Sequence, residues 1–240
     1  MSMSRRRFVA GLGVLGVAGE LVLHDEARAT PVSGTVDEYR RFLRASERPA
    51  TDLRGPARAV LAPGKLTPTE DNILGPYYRA GAPFRGKMTP PLEPGTVLLV
   101  RGRVWGFDSR KPLAGARLDV WQANAAGRYD NDDPDHPPRP DVFVNRTRLI
   151  TDENGGYEFE TVHPGRYQTG PGTWRPAHIH YAIAHPGYRT LVTQLYFKGD
   201  PHNATDPFVR PSLVIDLQTV RAGAGSYEYG VFDVVLAPIK

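Results

Sequence analysis

The chain contains no cysteine. This excludes disulfides, thiolate metal sites, cysteine nucleophiles and a lipid anchor on cysteine. It also lacks a long apolar run. The apolar stretch from Phe8 to Gly19 is rich in glycine and ends at Glu20, too short for a spanning helix, so no stable membrane anchor is expected. No dense lysine or arginine block follows the N-terminal region, and the net charge is only +4 over 240 residues, so nucleic acid is not an expected partner. There is no internal repeat and no low-complexity tail.

Glycine and proline are plentiful, at 25 and 23 residues. Without a repeat period they favour many turns and short strands over long helices. A hydrophobic content of 40% beside 23% charged residues is that of a folded globular body.

The first 29 residues read as an address. Paired arginines in SRRRFVA (4–10) precede the short apolar run, and Ala27-Arg28-Ala29 is a cleavage candidate. This predicts a twin-arginine export signal over 1–29 and a periplasmic or extracellular protein. Gly11 to Gly16 match GxGxxG, but no strand precedes them and the export segment explains the glycines.

The rest divides into an N-terminal helix and extended arm (30–94) and a β-sandwich domain (95–240). Thr35 and Glu38 form a capping-box pattern, and Val36, Tyr39, Phe42 and Leu43 recur at helical spacing, which predicts a short helix over 36–45. Strand-like runs cover 96–107, 116–123, 146–151, 157–162, 178–184, 191–197, 212–218 and 227–236, and Asp152–Gly156 reads as a hairpin turn. With no alternating helices, these runs predict a mainly β fold, an antiparallel β-sandwich.

Three stretches carry candidate chemistry. WRPAHIHY (174–181) places His178 and His180 at i and i+2, on one face of an extended chain. Alone the pair is weak, since most such histidines are surface or satisfied core residues. DVWQANAAGRYDND (119–132) ends a strand in a glycine turn before Tyr129. VHPGRY (162–167) puts Tyr167 in a loop that returns to the histidine strand. Taken singly, each tyrosine is an aromatic with a hydrogen-bonded hydroxyl. His136, His163, His185 and His202 have no partners at useful spacing, and the acidic loop 130–135 lacks the glycine and glutamate of an EF-hand.

Together the stretches resemble the intradiol ring-cleavage dioxygenases, the family of the catechol and protocatechuate enzymes. The likeness runs from about Leu66 to Phe232. It is densest in LGPYYRAGAP (74–83), LDVWQANAAGRYDN (118–131), RTRLITDENGGYEFETVHPGRY (146–167), WRPAHIHY (174–181) and VTQLYFKGDP (192–201), and looks nearer the protocatechuate branch. The resemblance implies one non-haem Fe(III) per chain held by Tyr129, Tyr167, His178 and His180, with Tyr167 and His180 axial. It implies a charge-stabilising role for Arg175, a proton-accepting role for Tyr167, and substrate contacts from Gly75, Pro76, Tyr77 and Gln194. The segment between Tyr167 and Trp174 is shorter than in the protocatechuate enzymes, and it shapes the pocket.

The residue types suit that chemistry. Phenolates are hard anionic donors that favour a ferric over a ferrous ion. A free tyrosine titrates near pH 10, so the ion's own charge must drive off its proton. The implied reaction opens a small aromatic diol between its hydroxyls with O2, giving a cis,cis-muconate-type diacid. Two other readings stand beside it. One is a secreted β-sandwich module that binds aromatics or carbohydrates and carries a vestigial metal site. The other is a metal hydrolase using the two histidines. Neither the substrate nor a homo-oligomeric state is fixed by these residues.

Overall fold

The computed structural model of the chain describes residues 66–222 and 225–239. The expected export signal and the helix over 36–45 lie outside these residues. From 66 to 94 the arm has no regular element, only isolated bridges. Its main chain is nonetheless tied down. Thr69 N–H donates to the Val235 carbonyl at 3.0 Å, Asn72 to Val192 at 2.8 Å, and Met88 to Glu160 at 2.9 Å.

Twelve strands follow: β1 (Val97–Gly106), β2 (Arg117–Gln122), β3 (Arg146–Ile150), β4 (Gly156–Val162), β5 (Tyr167–Gly170), β6 (Thr173–Arg175), β7 (His178–Ala184), β8 (Leu191–Phe197), β9 (Val214–Ile215), β10 (Gln218–Ala222), β11 (Gly225–Val231) and β12 (Val234–Leu236). One sheet runs β10-β11-β1-β12 with β4 on the other edge of β1. A second runs β3-β2-β7-β8-β9, and β5 and β6 form a separate two-stranded ribbon.

The two large sheets share one core. Leu98, Val100 and Val104 of β1 and Tyr157 and Phe159 of β4 pack with Leu118 and Val120 of β2, Ile179, Tyr181 and Ile183 of β7, and Leu195 of β8. Each strand contributes alternate residues, as the two-residue period of a pleated strand requires. The expected sandwich is therefore present.

Four local expectations change. The sheets are mixed: β1 pairs in parallel with β11 and β12, and β8 with β9, while the remaining pairings are antiparallel. The run 227–236 is not continuous. It breaks at Phe232-Asp233, where the Asp233 carboxylate accepts the Arg103 N–H at 2.8 Å in place of a backbone carbonyl. Gly102 is needed there, because a Cβ would lie 1.8 Å from the Phe232 carbonyl oxygen. The run 212–218 is a single 3-10 turn (Pro211–Leu213), the short β9 and the start of β10.

The turn at 152–156 forms, with Asp152 Oδ1 accepting from Asn154 and Gly156 N–H at 2.9 and 2.7 Å. It does not make a hairpin, because β3 pairs with β2 while β4 pairs with β1. The turn carries the chain from one sheet to the other. Turn chemistry is local, whereas the choice of partner strand is made by the faces that must bury Tyr157 and Phe159.

Ile183 is fully buried between the sheets, whereas Leu92 is 99% exposed. Ile183→Ala is expected to lower unfolding stability by about 2–5 kcal/mol and Leu92→Ala by less than about 0.5 kcal/mol in urea denaturation. Equal losses would contradict this core.

Candidate metal centre

The alternation of β7 decides where its histidines go. Ile179, Tyr181 and Ile183 point into the sandwich, so His178 and His180 emerge from the opposite face of that sheet. Register supplies their neighbours. His180 lies between Trp121 on β2 and Gln194 on β8, and His178 lies beside Tyr196. The Trp121 indole stacks on the His180 ring at 4.8 Å with an interplanar angle of 8°. The arm closes over the same ring. A Cβ on Gly75, whose φ is +74°, would stand 3.1 Å from His180 Cε1. Both histidines are buried.

Tyr129 arrives on the loop that follows β2, and Asn124 shapes that loop. Its Oδ1 accepts from the Ala126 and Arg128 N–H groups at 3.0 and 2.9 Å. Its main-chain carbonyl accepts from Gly127 and Gly165 at 3.0 and 2.8 Å. Gly127 has φ +79°, and a Cβ there would fall 2.2 Å from the Arg166 carbonyl oxygen. The two glycines thus let the Tyr129 loop and the corner before Tyr167 touch backbone to backbone. Beyond Tyr129, the buried carboxylate of Asp130 accepts from Arg79 at 2.7 Å and from Arg146 Nε at 2.8 Å. Tyr167 itself opens the β5–β6 ribbon, paired directly with Arg175.

The four side chains converge. The Tyr129 hydroxyl is 3.4 Å from His178 Nε2, and the two histidine Nε2 atoms are 3.1 Å apart. The Tyr167 ring stands 5.7 Å from the rings of both Tyr129 and His178. Tyr77 stacks on Tyr129 with centroids 4.3 Å apart.

Burial sets the protonation states. It pushes His178 down to about 3, with Arg175 acting in the same direction. It holds His180 well below its usual value, helped by His178 and Arg175. Both rings are therefore neutral near pH 7. His178 Nδ1 lies 2.7 Å from the Pro176 carbonyl, which can only accept, so Nδ1 carries the proton and Nε2 keeps its lone pair. The Ile73 carbonyl is near enough to favour a proton on His180, although Nδ1 makes no hydrogen bond of proper geometry. Burial also raises both phenols, Tyr129 strongly. Arg175 opposes the rise at Tyr167.

This donor set fits a small, highly charged cation. Two neutral imidazole nitrogens and two phenol oxygens face one another, and nitrogens 3.1 Å apart can share an ion at metal–nitrogen distances of about 2 Å. Among the described residues, no three His, Asp, Glu or Cys side chains gather as a metal site. Tyrosines must therefore complete any shell at this place. Deprotonating two buried phenols demands a strong positive charge, and the resulting anions would offset it.

A cavity of about 430 Å³ adjoins the cluster, and Pro76, Tyr77, Tyr167 and Arg175 are among the residues that line it. Arg175 is buried and held from several sides. Nε donates to Asp206, and Nη2 donates to Gln194 Oε1 at 2.7 Å and to the Tyr196 hydroxyl at 3.3 Å. The Phe208 ring lies 4.9 Å from the guanidinium carbon.

Residues 73–238 match the Dioxygenase family model. The chain belongs to the intradiol ring-cleavage dioxygenase family. It is 34% identical over 194 residues to chlorocatechol 1,2-dioxygenase of Rhodococcus opacus, covering 72% of this chain and 74% of that one. It is 37% identical over 212 residues to the protocatechuate 3,4-dioxygenase beta chain of Burkholderia cepacia, covering 83% and 87%. Among solved structures, the 3-chlorocatechol 1,2-dioxygenase of Rhodococcus opacus 1CP superposes with a TM-score of 0.66 at 32% identity, over 71% of this chain and 73% of that one. As an intradiol family member the chain is an oxidoreductase, which removes the ground for reading it as a binding module or a hydrolase.

Within this intradiol fold the expected site residues do not all stand where the sequence suggested. Tyr129, Tyr167, His178 and His180 come together, and Arg175, Pro76 and Tyr77 line the adjoining cavity. Gly75 and Gln194 do not. Gly75 packs on His180. Gln194 is fully buried, giving Nε2 to the Ile73 carbonyl at 2.9 Å and taking a bond from Arg175 on Oε1. Both polar ends are hydrogen-bonded within the protein, where they tie Arg175 to the arm. Sequence reasoning missed Asp206, Phe208, Tyr196 and the pair Asp130–Arg146. None has a local signature, since each meets its partner only after folding.

Gly127→Ala is expected to destabilise the protein by more than about 1 kcal/mol and to displace the Tyr129 loop. Ala126→Gly, in the same loop, should have a much smaller effect. Thermal unfolding of both variants checks this, and equal melting temperatures for Gly127→Ala and the parent would contradict the close contact with Arg166.

Proposed function

We propose that the protein binds one ferric ion through Tyr129, Tyr167, His178 and His180 and uses it to open a catechol-type diol between its two hydroxyls with O2, giving a cis,cis-muconate-type diacid. The observation that carries this reading is the convergence of two phenols and two neutral imidazoles beside a cavity that also presents Arg175. Ferric iron would supply the electron-withdrawing centre that makes a bound catecholate ring reactive toward O2. The remaining work belongs to the side chains. Tyr167 stands half-buried at the cavity wall, and with its own proton driven off by the ferric charge its Oη would be a phenolate placed to accept one from the incoming diol, whereas Tyr129 is shut away beneath Tyr77. Arg175 stabilises negative charge as it develops on the ring. Its orientation is fixed beforehand by Asp206 and Gln194, so little reorganisation is needed when that charge appears. Trp121 and Gly75 hold the His180 ring in place from its two neighbouring segments.

The paired arginines at Arg5 and Arg6 and the Ala27-Arg28-Ala29 sequence support export by the twin-arginine route to the periplasm or beyond. That route carries folded proteins and so suits an ion inserted before export.

The test is oxygen uptake by iron-loaded protein on a small panel of catechols, with identification of the product. Uptake with a muconate-type diacid is expected, and the protein should be coloured by phenolate-to-iron charge transfer. Tyr129→Phe should lose iron or show a weakened, shifted visible band, and should lose roughly 100-fold of its turnover. Full activity in that variant would remove Tyr129 from the ligand set. A colourless protein that stays inactive after iron loading would overturn the proposal.

A further inference from the structure

The cavity is larger and less charged than one dihydroxybenzene ring requires. Its volume of about 430 Å³ lies in the range of roughly 300–1,000 Å³ that accommodates ligands of several rings. Arg175 is the only cation among the lining residues and Asp206 the only carboxylate. These two form an ion pair with side chains 8% and 0% exposed, so the wall beyond the cluster carries no net charge and offers no unpaired cation. Trp174, Thr173, Thr205 and Phe208 also line it, and none of them can neutralise a ligand charge. Trp174 is 39% exposed, yet its indole is already braced by stacking on His202 at 5.5 Å and 12°. Its backbone is fixed by pairing with Gln168 across the β5–β6 ribbon. An exposed aromatic that is ordered in advance binds another flat apolar group with little loss of freedom.

We propose that the part of the cavity beside Trp174 is a subsite for an uncharged ring or alkyl substituent on the diol, with Trp174 as the specificity-determining residue, and that diols bearing a carboxylate are disfavoured. The inference rests on the proposed dioxygenase function only in taking the ligand to be a diol. A carboxylate entering here loses water and meets no free cation, while the Asp206 carboxylate repels it. Likeness to the protocatechuate 3,4-dioxygenase beta chain does not bear on this point, because the charge balance at this wall is set by Arg175 and Asp206 of this chain.

The experiment compares catechol, 3,4-dihydroxybiphenyl and 3,4-dihydroxybenzoate on the parent, Trp174→Ala and Trp174→Phe. Each diol is measured twice, by oxygen-uptake kinetics on iron-loaded protein and by calorimetric binding under argon. On the parent, the biphenyl should bind roughly tenfold tighter than catechol, and the benzoate at least roughly tenfold more weakly. Trp174→Ala should lower the biphenyl-to-catechol ratio of kcat/KM roughly fivefold, mainly through KM, and Trp174→Phe should restore most of it. A benzoate bound as well as catechol, or a ratio unchanged in Trp174→Ala, would overturn the proposal. The parent ranking and Trp174→Phe decide the matter if the alanine variant does not fold. Binding in the expected order without oxygen uptake would defeat the dioxygenase reading alone. Uptake with a flat ratio would defeat the subsite alone, and a parent protein that neither binds nor consumes the diols would defeat both.

Discussion

Two neutral imidazoles, buried on the outer face of a β-sheet, govern the arrangement around them. Strand β7 can give Ile179, Tyr181 and Ile183 to the core only by sending His178 and His180 the other way. On an ordinary sandwich that face would meet water. Here it is covered by the arm from 74 to 79 and by the loop and ribbon bearing Tyr129 and Tyr167. Removing water from the imidazoles keeps them uncharged, and removing it from the phenols keeps their protons on. The pocket is thus built of groups that are costly to charge separately and become mutually compatible around one cation.

Precision at this face comes from short backbone contacts rather than from the sandwich core. Asn124 folds the loop after β2 onto itself, and Gly127 and Gly165 let that loop meet the neighbouring corner. The Arg146–Asp130 pair anchors the far side of Tyr129 to β3. On the cavity side Asp206 and Gln194 fix Arg175 from two different segments. Asp206 therefore has two consequences at once. It orients the guanidinium toward the cluster, and it leaves the pair without net charge beside Trp174 and Thr205.

Much of this was legible in the sequence, for identifiable reasons. Strand alternation is a local pattern, so the sandwich and the common face of His178 and His180 could be read directly. The motif WQANAAGRY could be recognised, and the structure supplies its cause in the Asn124 bonds and the space that only Gly127 permits. Partner choice was not legible. The turn at Asp152 reads as a hairpin, yet its flanking strands join different sheets. The break at Asp233 depends on Arg103, 130 residues away. Gln194 has a side chain suited to substrate contact, and only its bonds to Ile73 and Arg175 show that it is already satisfied. Asp206, which completes the Arg175 site, lies in a loop with no pattern of its own.

The account depends on four side chains serving a single ion. Anomalous diffraction at the iron edge from crystals of the iron-loaded protein tests this most directly. The account predicts one strong peak per chain, within bonding distance of Tyr129 Oη, Tyr167 Oη, His178 Nε2 and His180 Nε2. A peak elsewhere, or none at this cluster in protein that turns over catechols, would contradict it.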